Sequence, residues 1–424
     1  MLPDQSERNQ HNKRKNILKS IVIIFAAIFG TTALILWYFW QEPILSPLSS
    51  ITTFQFLRTQ ENLDKPKKIV YGFLPYWNIN SAAIQPELTQ LAYFSLTIGP
   101  DGFIKTKDDQ GNTDPGYAKL SSDRFLELAR EVDQNKGKFE IVLTQFSNDD
   151  IESFANNPEA HQNLLTSLDS ILLAYPISGV NIDIEHTGEV TPKLRQNFAS
   201  MIRTVNQHLD QKYNHVQLSI DVYASAASRN LIWDIPAIAQ EVDYIIIMAY
   251  DFHRRSSTQA GPVAPLFGGG EFWDSDINQH LKKFFTQAPR SKLILGIPFY
   301  GYGWRTTSQE SQALTYPDSG STATYLEVQE LLAQKTELGI TENWHEAALS
   351  PYLTYRENEE NIVIYYEDIR SIAYKLDYVN QLDLPGIAIW ALGYEGEARE
   401  LWNVVSEKFD QTTLVASSSA QKRN

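Results

Sequence analysis

At 424 residues the chain is long for one domain, and 43% hydrophobic residues are enough for a large core. The 51 acidic against 36 basic residues give a formal charge of −15, which argues against a nucleic-acid partner and allows a neutral polymer as substrate. There is no cysteine, so disulfides, thiolate metal sites and cysteine nucleophiles are excluded.

The chain opens on a basic tail, residues 1–20, with Arg8, Lys13, Arg14, Lys15 and Lys19. An uncharged apolar run from Ile21 to Trp40 follows. Its length suits a bilayer, which takes about 20 such residues, and it ends on Trp37, Tyr38, Phe39 and Trp40, an aromatic belt for the headgroup region. The run reads as an uncleaved, single-pass signal-anchor, with the N-terminus cytoplasmic and the remainder extracytoplasmic. The alternative is a cleaved signal with a long core, cut between Ser46 and Ser50. Residues 41–66 read as a stalk, 67–410 as the folded domain and 411–424 as a disordered tail.

Eight short apolar runs bounded by turn residues read as buried parallel strands: Ile69–Leu74, Leu91–Ile98, Phe139–Phe146, Gly179–Ile184, Val216–Val222, Tyr244–Ala249, Leu293–Phe299 and Gly386–Ala391. Helical spacing marks Ser122–Gln134, Asn163–Ala174, Thr191–Leu209, Ile277–Phe285 and Asp368–Gln381. Repeated strand–helix units of this number predict an α/β fold closed into a (β/α)8 barrel. An open doubly wound sheet is disfavoured because no glycine-rich phosphate loop follows the first strand. The long gap before the eighth strand, about 302–384, holds strand-like segments at Thr354-Tyr355 and Ile362–Tyr366, and reads as a small α+β insertion at the barrel mouth.

The fourth strand carries the chemistry. Val180, Ile182 and Ile184 face one way; Asn181, Asp183 and Glu185 face the other. The apolar triplet belongs against the helices, which leaves an amide and two carboxyls in the interior near the C-terminal mouth. Burial of such groups costs several kcal/mol unless they are paired or neutralised. Two close carboxyls push their pKa values apart, leaving one protonated beside one ionised. His186 and His253 near the mouth read as hydrogen-bonded surface histidines. The 8 His show no metal-spaced cluster, and neither a metal nor a cofactor is expected.

On these residues the sequence resembles glycoside hydrolase family 18. The family's fourth-strand pattern D-x-x-D-x-D-x-E is met here by Ser178, Asn181, Asp183 and Glu185, so the last two positions match and the first two depart. Met248-Ala249-Tyr250-Asp251 matches the sixth-strand M-x-Y-D, and Gly296 to Gly301 the seventh-strand G-x-P-x-Y-G. Gly386-Ile387-Ala388-Ile389-Trp390 matches the eighth strand; Gly72 to Trp77 is similar, less specifically, to the first. Asn181, the Gly261–Leu266 segment, Tyr365 to Asp368 and Ala391-Leu392-Gly393 bring it nearest the bacterial spore-cortex-lytic branch.

The resemblance implies a retaining, substrate-assisted hydrolase of β-1,4-linked N-acetylglucosamine polymers, peptidoglycan or chitin-type oligomers, acting as a monomer. Glu185 would protonate the leaving oxygen and later activate water. The substrate's acetamido carbonyl would attack C1, with Asp183 orienting the acetamido N–H and Tyr250 bonding its oxygen. Two residues apart on a strand, Asp183 and Glu185 have Cα atoms about 7 Å apart, which suits that division of labour. Trp390 would floor the sugar site, and Asn181, Asp251, Met248, Tyr76 and Tyr300 join it as substrate-binding positions. Asp251 reads equally as a strand-end cap, and Ser178 as structural. Competing readings are a catalytically inactive chitinase-like lectin, a wall-tethered scaffold, and an endo-acting hydrolase of N-linked glycans.

Overall fold

The computed structural model describes residues 67–409 apart from positions 109 and 214. The predicted anchor, stalk and tail therefore lie outside the described residues. Among those described, no helix is long and apolar enough to cross a membrane.

Eight parallel strands close a barrel. They are β1 (Ile69–Pro75), β2 (Gln90–Thr97), β3 (Lys138–Gln145), β4 (Gly179–Ile184), β5 (Gln217–Tyr223), β6 (Tyr244–Met248), β7 (Leu293–Pro298) and, after an insertion, β13 (Gly386–Trp390). Each pairs with its neighbour in chain order, and β13 closes the ring between β7 and β1. All eight strands read from the sequence are present, shifted by a residue or less at each end.

Sequence sets the helix starts. Ser122, Thr191 and Asp368 each cap a helix (Asp123–Gln134, Pro192–Lys212, Ile369–Gln381) by accepting a first-turn backbone N–H. Pro192 sits where its missing N–H is harmless. Phe125, Leu128 and Val132, then Phe198, Ile202, Val205 and Leu209, form buried stripes at helical spacing. Val180, Ile182 and Ile184 of β4 are wholly buried on the side that meets these helices.

The lumen is unevenly filled. One cluster joins Tyr71, Phe73, Ala92, Phe94, Val142, Ile246, Ile294 and Ala388, residues of six different strands that only the barrel interior brings together. The wall made by β3, β4 and β5 is instead polar, with Glu140, Thr144, Asn181, Asp183, Ser219 and Asp221 all buried. Gly179 has a packing reason. A Cβ there would lie 2.5 Å from Cγ and Cδ of Glu140, whose side chain crosses the strand.

Between β7 and β13 the chain builds a second sheet from β8 (Tyr300–Thr306), β9 (Ser321–Thr324), β10 (Thr341–His345), β11 (Ser350–Glu357) and β12 (Glu360–Tyr365). It is antiparallel, in the order β10-β11-β12-β8-β9. Its own core contains Val328, Leu353, Ile362 and Ile364. The helix Tyr325–Ala333 starts at a capping box between Thr324 and Glu327. Both predicted strand segments fall in β11 and β12; β8, β9 and β10 were not legible. Chain direction changes sheet at Pro298. It has no N–H to extend the ladder, and the Phe299 N–H bonds Trp390 O at 2.7 Å. Tyr300 therefore opens β8 rather than ending the seventh barrel strand.

Candidate active site

Asn181 and Asp183 project from β4 into the polar side of the lumen, and both are buried. Glu185 follows the strand, its N–H held by Gln145 O at 3.0 Å, and its side chain is half-buried at the mouth. The alternation predicted for this strand is thus realised, with three polar groups stacked along one wall.

What holds Asn181 comes from β5. Its Nδ2 donates to Ser219 Oγ at 3.0 Å and to Asp221 Oδ1 at 2.9 Å. The register pairs Asn181 with Ser219 and Ile182 with Ile220, so Asp183 and Asp221 are the next residues along the two strands. Asp183 Oδ1 and Asn181 Oδ1 are buried with no protein partner. An unpartnered carboxyl oxygen buried at a barrel mouth is an open acceptor or donor site for something that enters.

Burial lifts the Asp183 carboxyl well above its ordinary range, and the charges of Glu185 and Asp221 lift it further. Asp221 is raised well above its ordinary value by burial, while the Asn181 hydrogen bond favours its ionised form. Glu185 is raised by burial; a hydrogen bond from Tyr223 and the positive charge of Arg254 pull it back, and Asp251 pushes it up. Three carboxyls in one low-dielectric space cannot all ionise, so protons remain on some of them near neutral pH. A carboxylic acid at the mouth is a proton donor, and a carboxylate behind it can neutralise a developing cation.

Tyr250 lies just past β6 and is half-buried. Burial, together with the carboxylates Asp221, Asp183, Glu185 and Asp251, keeps its phenol far above the usual range, so it stays a hydrogen-bond donor. Gly296 makes room for it, since a Cβ there would lie 3.1 Å from the Tyr250 ring and 2.5 Å from Ile247 O. Asp251 adopts φ +61°, a left-handed conformation that aspartate tolerates better than most residues. Its Oδ1 accepts from the hydroxyls of Tyr300 and of Tyr302, the latter at 2.9 Å. Asp251 therefore organises two tyrosines rather than merely capping a strand.

Trp390 ends β13, half-buried, with its ring 4.7 Å from Phe94 and 5.8 Å from Phe73. Phe94 meets it edge-on at 80° and Phe73 is tilted to it at 54°. Met248 ends β6 in register with Tyr223 and is half-buried. Tyr76, in the turn after β1, is half-buried with its ring 4.9 Å from Trp77. Tyr300 is buried, 6.3 Å ring to ring from Tyr250. His186 is not at the surface as expected: it is fully buried, with Nε2 3.0 Å from Glu152 Oε1. His253 is half-buried and donates through Nδ1 to Pro262 O at 2.9 Å. Among the described residues, no group of His, Asp and Glu is arranged to hold a metal ion.

Asp221 and Tyr223 were missed by the sequence reading, although Ser219, Asp221 and Tyr223 alternate with apolar residues just as Asn181, Asp183 and Glu185 do. That shared alternation was the available signal. Glu140 was missed as well. It is wholly buried at the foot of the polar wall, hydrogen-bonded by the Tyr71 hydroxyl at 2.8 Å, and burial pushes its carboxyl up to about 7.

Known proteins resemble both the sequence and the barrel. A cortical fragment-lytic enzyme of Bacillus anthracis is 24% identical over 345 residues, covering 78% of this chain and 70% of that protein. A class V chitinase of Arabidopsis thaliana is 25% identical over 276 residues, 62% of this chain and 69% of the other. The crystal structure of the Ostrinia furnacalis Group IV chitinase superposes with a TM-score of 0.69 at 20% identity, covering 81% of this chain and 99% of that one. The Bacillus megaterium spore cortex-lytic enzyme SleL gives 0.62 at 18% identity, covering 82% and 75%. These two structures share the fold. The sequence itself matches the family description Glycosyl hydrolases family 18 across residues 6–395, and the chain belongs to that family.

Proposed function

We propose that this chain is a retaining glycosidase that cleaves β-1,4-linked N-acetylglucosamine polymers by substrate assistance, with peptidoglycan first among its substrates and chitin oligomers second. The observation that carries this reading is Asp183: a buried carboxyl, raised by Glu185 and Asp221, with one oxygen unpartnered beneath the mouth. Glu185, whose pKa burial raises, donates its proton to the leaving glycosidic oxygen. The substrate's 2-acetamido oxygen attacks C1 as that bond breaks, and the positive charge spreads onto the acetamido group. Asp183 accepts from the acetamido N–H and stabilises that charge; the Tyr250 hydroxyl bonds the acetamido oxygen. Glu185, now a carboxylate, takes a proton from water as the water opens the intermediate, which restores the original anomer. Trp390 stacks on the sugar, while Tyr76, Met248, Asp251, Tyr300 and Asn181 shape and orient the cleft.

The apolar run Ile21–Trp40 supports a second part of the reading: the chain is held in the membrane with its barrel on the outer side. Membrane fractions of the native host should retain the intact chain through a high-salt wash and release it with detergent. A shorter soluble product would show the segment to be a cleaved signal.

The activity test offers peptidoglycan and chitin oligomers to the full chain in detergent, with Glu185→Gln as control. Cleavage that is lost in the control, and whose first product keeps the β-anomer by proton NMR, supports the mechanism. Saturable binding without cleavage favours the lectin reading; inversion of the anomer sinks substrate assistance.

A further inference from the structure

The family's strand pattern has an aspartate at the position held here by Asn181, so β4 lacks one carboxyl beside Asp183. The neighbouring strand has one. Asp221 is buried, accepts from Asn181 Nδ2 at 2.9 Å, and is the next residue after the Ile182–Ile220 register pair, as Asp183 is on β4. We infer that Asp221 is the positioning residue of Asp183: it supplies from β5 the carboxyl that the asparagine at 181 leaves out, and the two aspartates hold one proton and one negative charge between them. This inference rests on the proposed glycosidase mechanism for its effect on rate, although the pair itself does not.

Asp221 acts in two ways. By accepting from Nδ2 it fixes the Asn181 amide, so that Oδ1, which has no other partner, faces the remaining space as an acceptor. By carrying the charge of the resting pair it keeps Asp183 protonated. When positive charge develops on the acetamido group, ionised Asp183 becomes the better arrangement. The proton leaving Asp183 is then taken by Asp221, and the pair's total charge does not change. No extra charge needs to be buried at the moment of reaction.

The surroundings are suited to one shared charge. Facing the pair are Tyr71 from β1, Glu140 from β3, Glu185 after β4, Tyr223 at the end of β5 and Tyr250 after β6. Tyr71, Glu140 and Ser219 form a hydrogen-bonded set below Asn181, with Ser219 accepting from the amide at 3.0 Å. Arg254 acts on Glu185 and Lys138 on Glu140, and among the described residues no cation acts on Asp183 or Asp221 themselves. A second negative charge would therefore go unpaired, and the proton stays within the pair.

The test uses the full chain in detergent and two variants, Asp221→Asn and the exchange Asn181→Asp with Asp221→Asn, with aspartates carrying a carbon-13 label at the side-chain carboxyl. Asp221→Asn should lower kcat by about tenfold or more with KM little changed, and move the acidic limb of the pH–rate profile to lower pH. The Asp183 carboxyl signal, assigned by its absence in Asp183→Asn, should titrate at lower pH in the same variant, because its charged neighbour is gone. The exchange should restore most of the rate and return the midpoint. An unchanged midpoint overturns the inference, as does a loss of rate that the exchange fails to repair. A chain that cleaves no glycan, yet whose Asp183 midpoint falls in Asp221→Asn, retains the pair and loses the glycosidase reading.

Discussion

Replacing Lys375 by methionine isolates the cost of one buried charge. Lys375 Nζ lies 2.6 Å from Glu367 Oε2, and neither side chain is exposed. Burial raises the Glu367 carboxyl, and Lys375 is the first group pulling it back down. Its second oxygen has no partner. Without the lysine, the carboxylate is left uncompensated, and the cheapest response is to take up a proton. Protonating a glutamate of ordinary value 4.5 at pH 7 spans 2.5 pH units, or about 3.4 kcal/mol at about 1.36 kcal/mol per unit. At pH 5 the same response costs about 0.7 kcal/mol. The sign follows. In the variant the folded-state pKa lies above the unfolded one, so the folded chain holds a proton the unfolded chain has released, and stability falls as pH rises through that window. Urea unfolding of wild type and Lys375→Met at pH 7 and pH 5 should show a loss of about 3 kcal/mol shrinking to below about 1.5. The double replacement Lys375→Met with Glu367→Leu should recover most of the loss at pH 7. A loss that is equal at the two pH values, or under about 1 kcal/mol at pH 7, would refute the reasoning.

Gly179→Ala should cost about 1–3 kcal/mol, because its Cβ meets the Glu140 side chain at 2.5 Å; thermal melts in a cycle with Glu140→Ala should show coupling, and strict additivity would detach the glycine from Glu140. Trp390→Ala, in the Glu185→Gln background, should weaken chitin-oligomer binding by about tenfold or more in calorimetry; an unchanged affinity would leave Trp390 as packing for Phe94 and Phe73. Asp183→Asn should stabilise the chain more as pH rises above about 4. The raised pKa of Asp183 means that the folded state holds a proton that the unfolded state releases, and the variant removes that penalty. A melting-temperature difference that stays flat between pH 4 and pH 8 would show that Asp183 titrates normally.

Short apolar runs bounded by turn residues made the eight barrel strands legible, because a strand covered by helices on one side and packed in the lumen on the other is largely apolar. Helix starts were legible where a side chain caps the first turn, as at Ser122, Thr191 and Asp368. The insertion was only partly legible. β8 reads Tyr-Gly-Tyr-Gly-Trp-Arg-Thr, with glycines where β-branched residues would give the pattern, and its stability comes from pairing with β12 and β9 rather than from its own propensity. His186 was misplaced because a histidine after a strand end reads as exposed, and only the packing of the 148–155 helix, which presents Glu152 to it, buries it.

The site shows where such reading stops. Alternation assigns a residue to a face, but it does not say which residue of the next strand stands beside it. Asn181 read alone is a departure from the family pattern that keeps a hydrogen-bond donor and adds no charge. Placed in register against Ser219 and Asp221, the same asparagine is the donor that lets a carboxyl on β5 stand beside Asp183 without adding a charge to β4. A third ionised group on the same strand as Asp183 and Glu185 would have raised both further, since like charges in one low-dielectric space disfavour each other. With the carboxyl on the neighbouring strand and a neutral amide at 181, the number of acids is kept, and the Asn181 hydrogen bond favours the ionised form of Asp221. Register, fixed by the helix-facing Ile182 and Ile220, is therefore what decides whether this barrel has a working pair or a broken one.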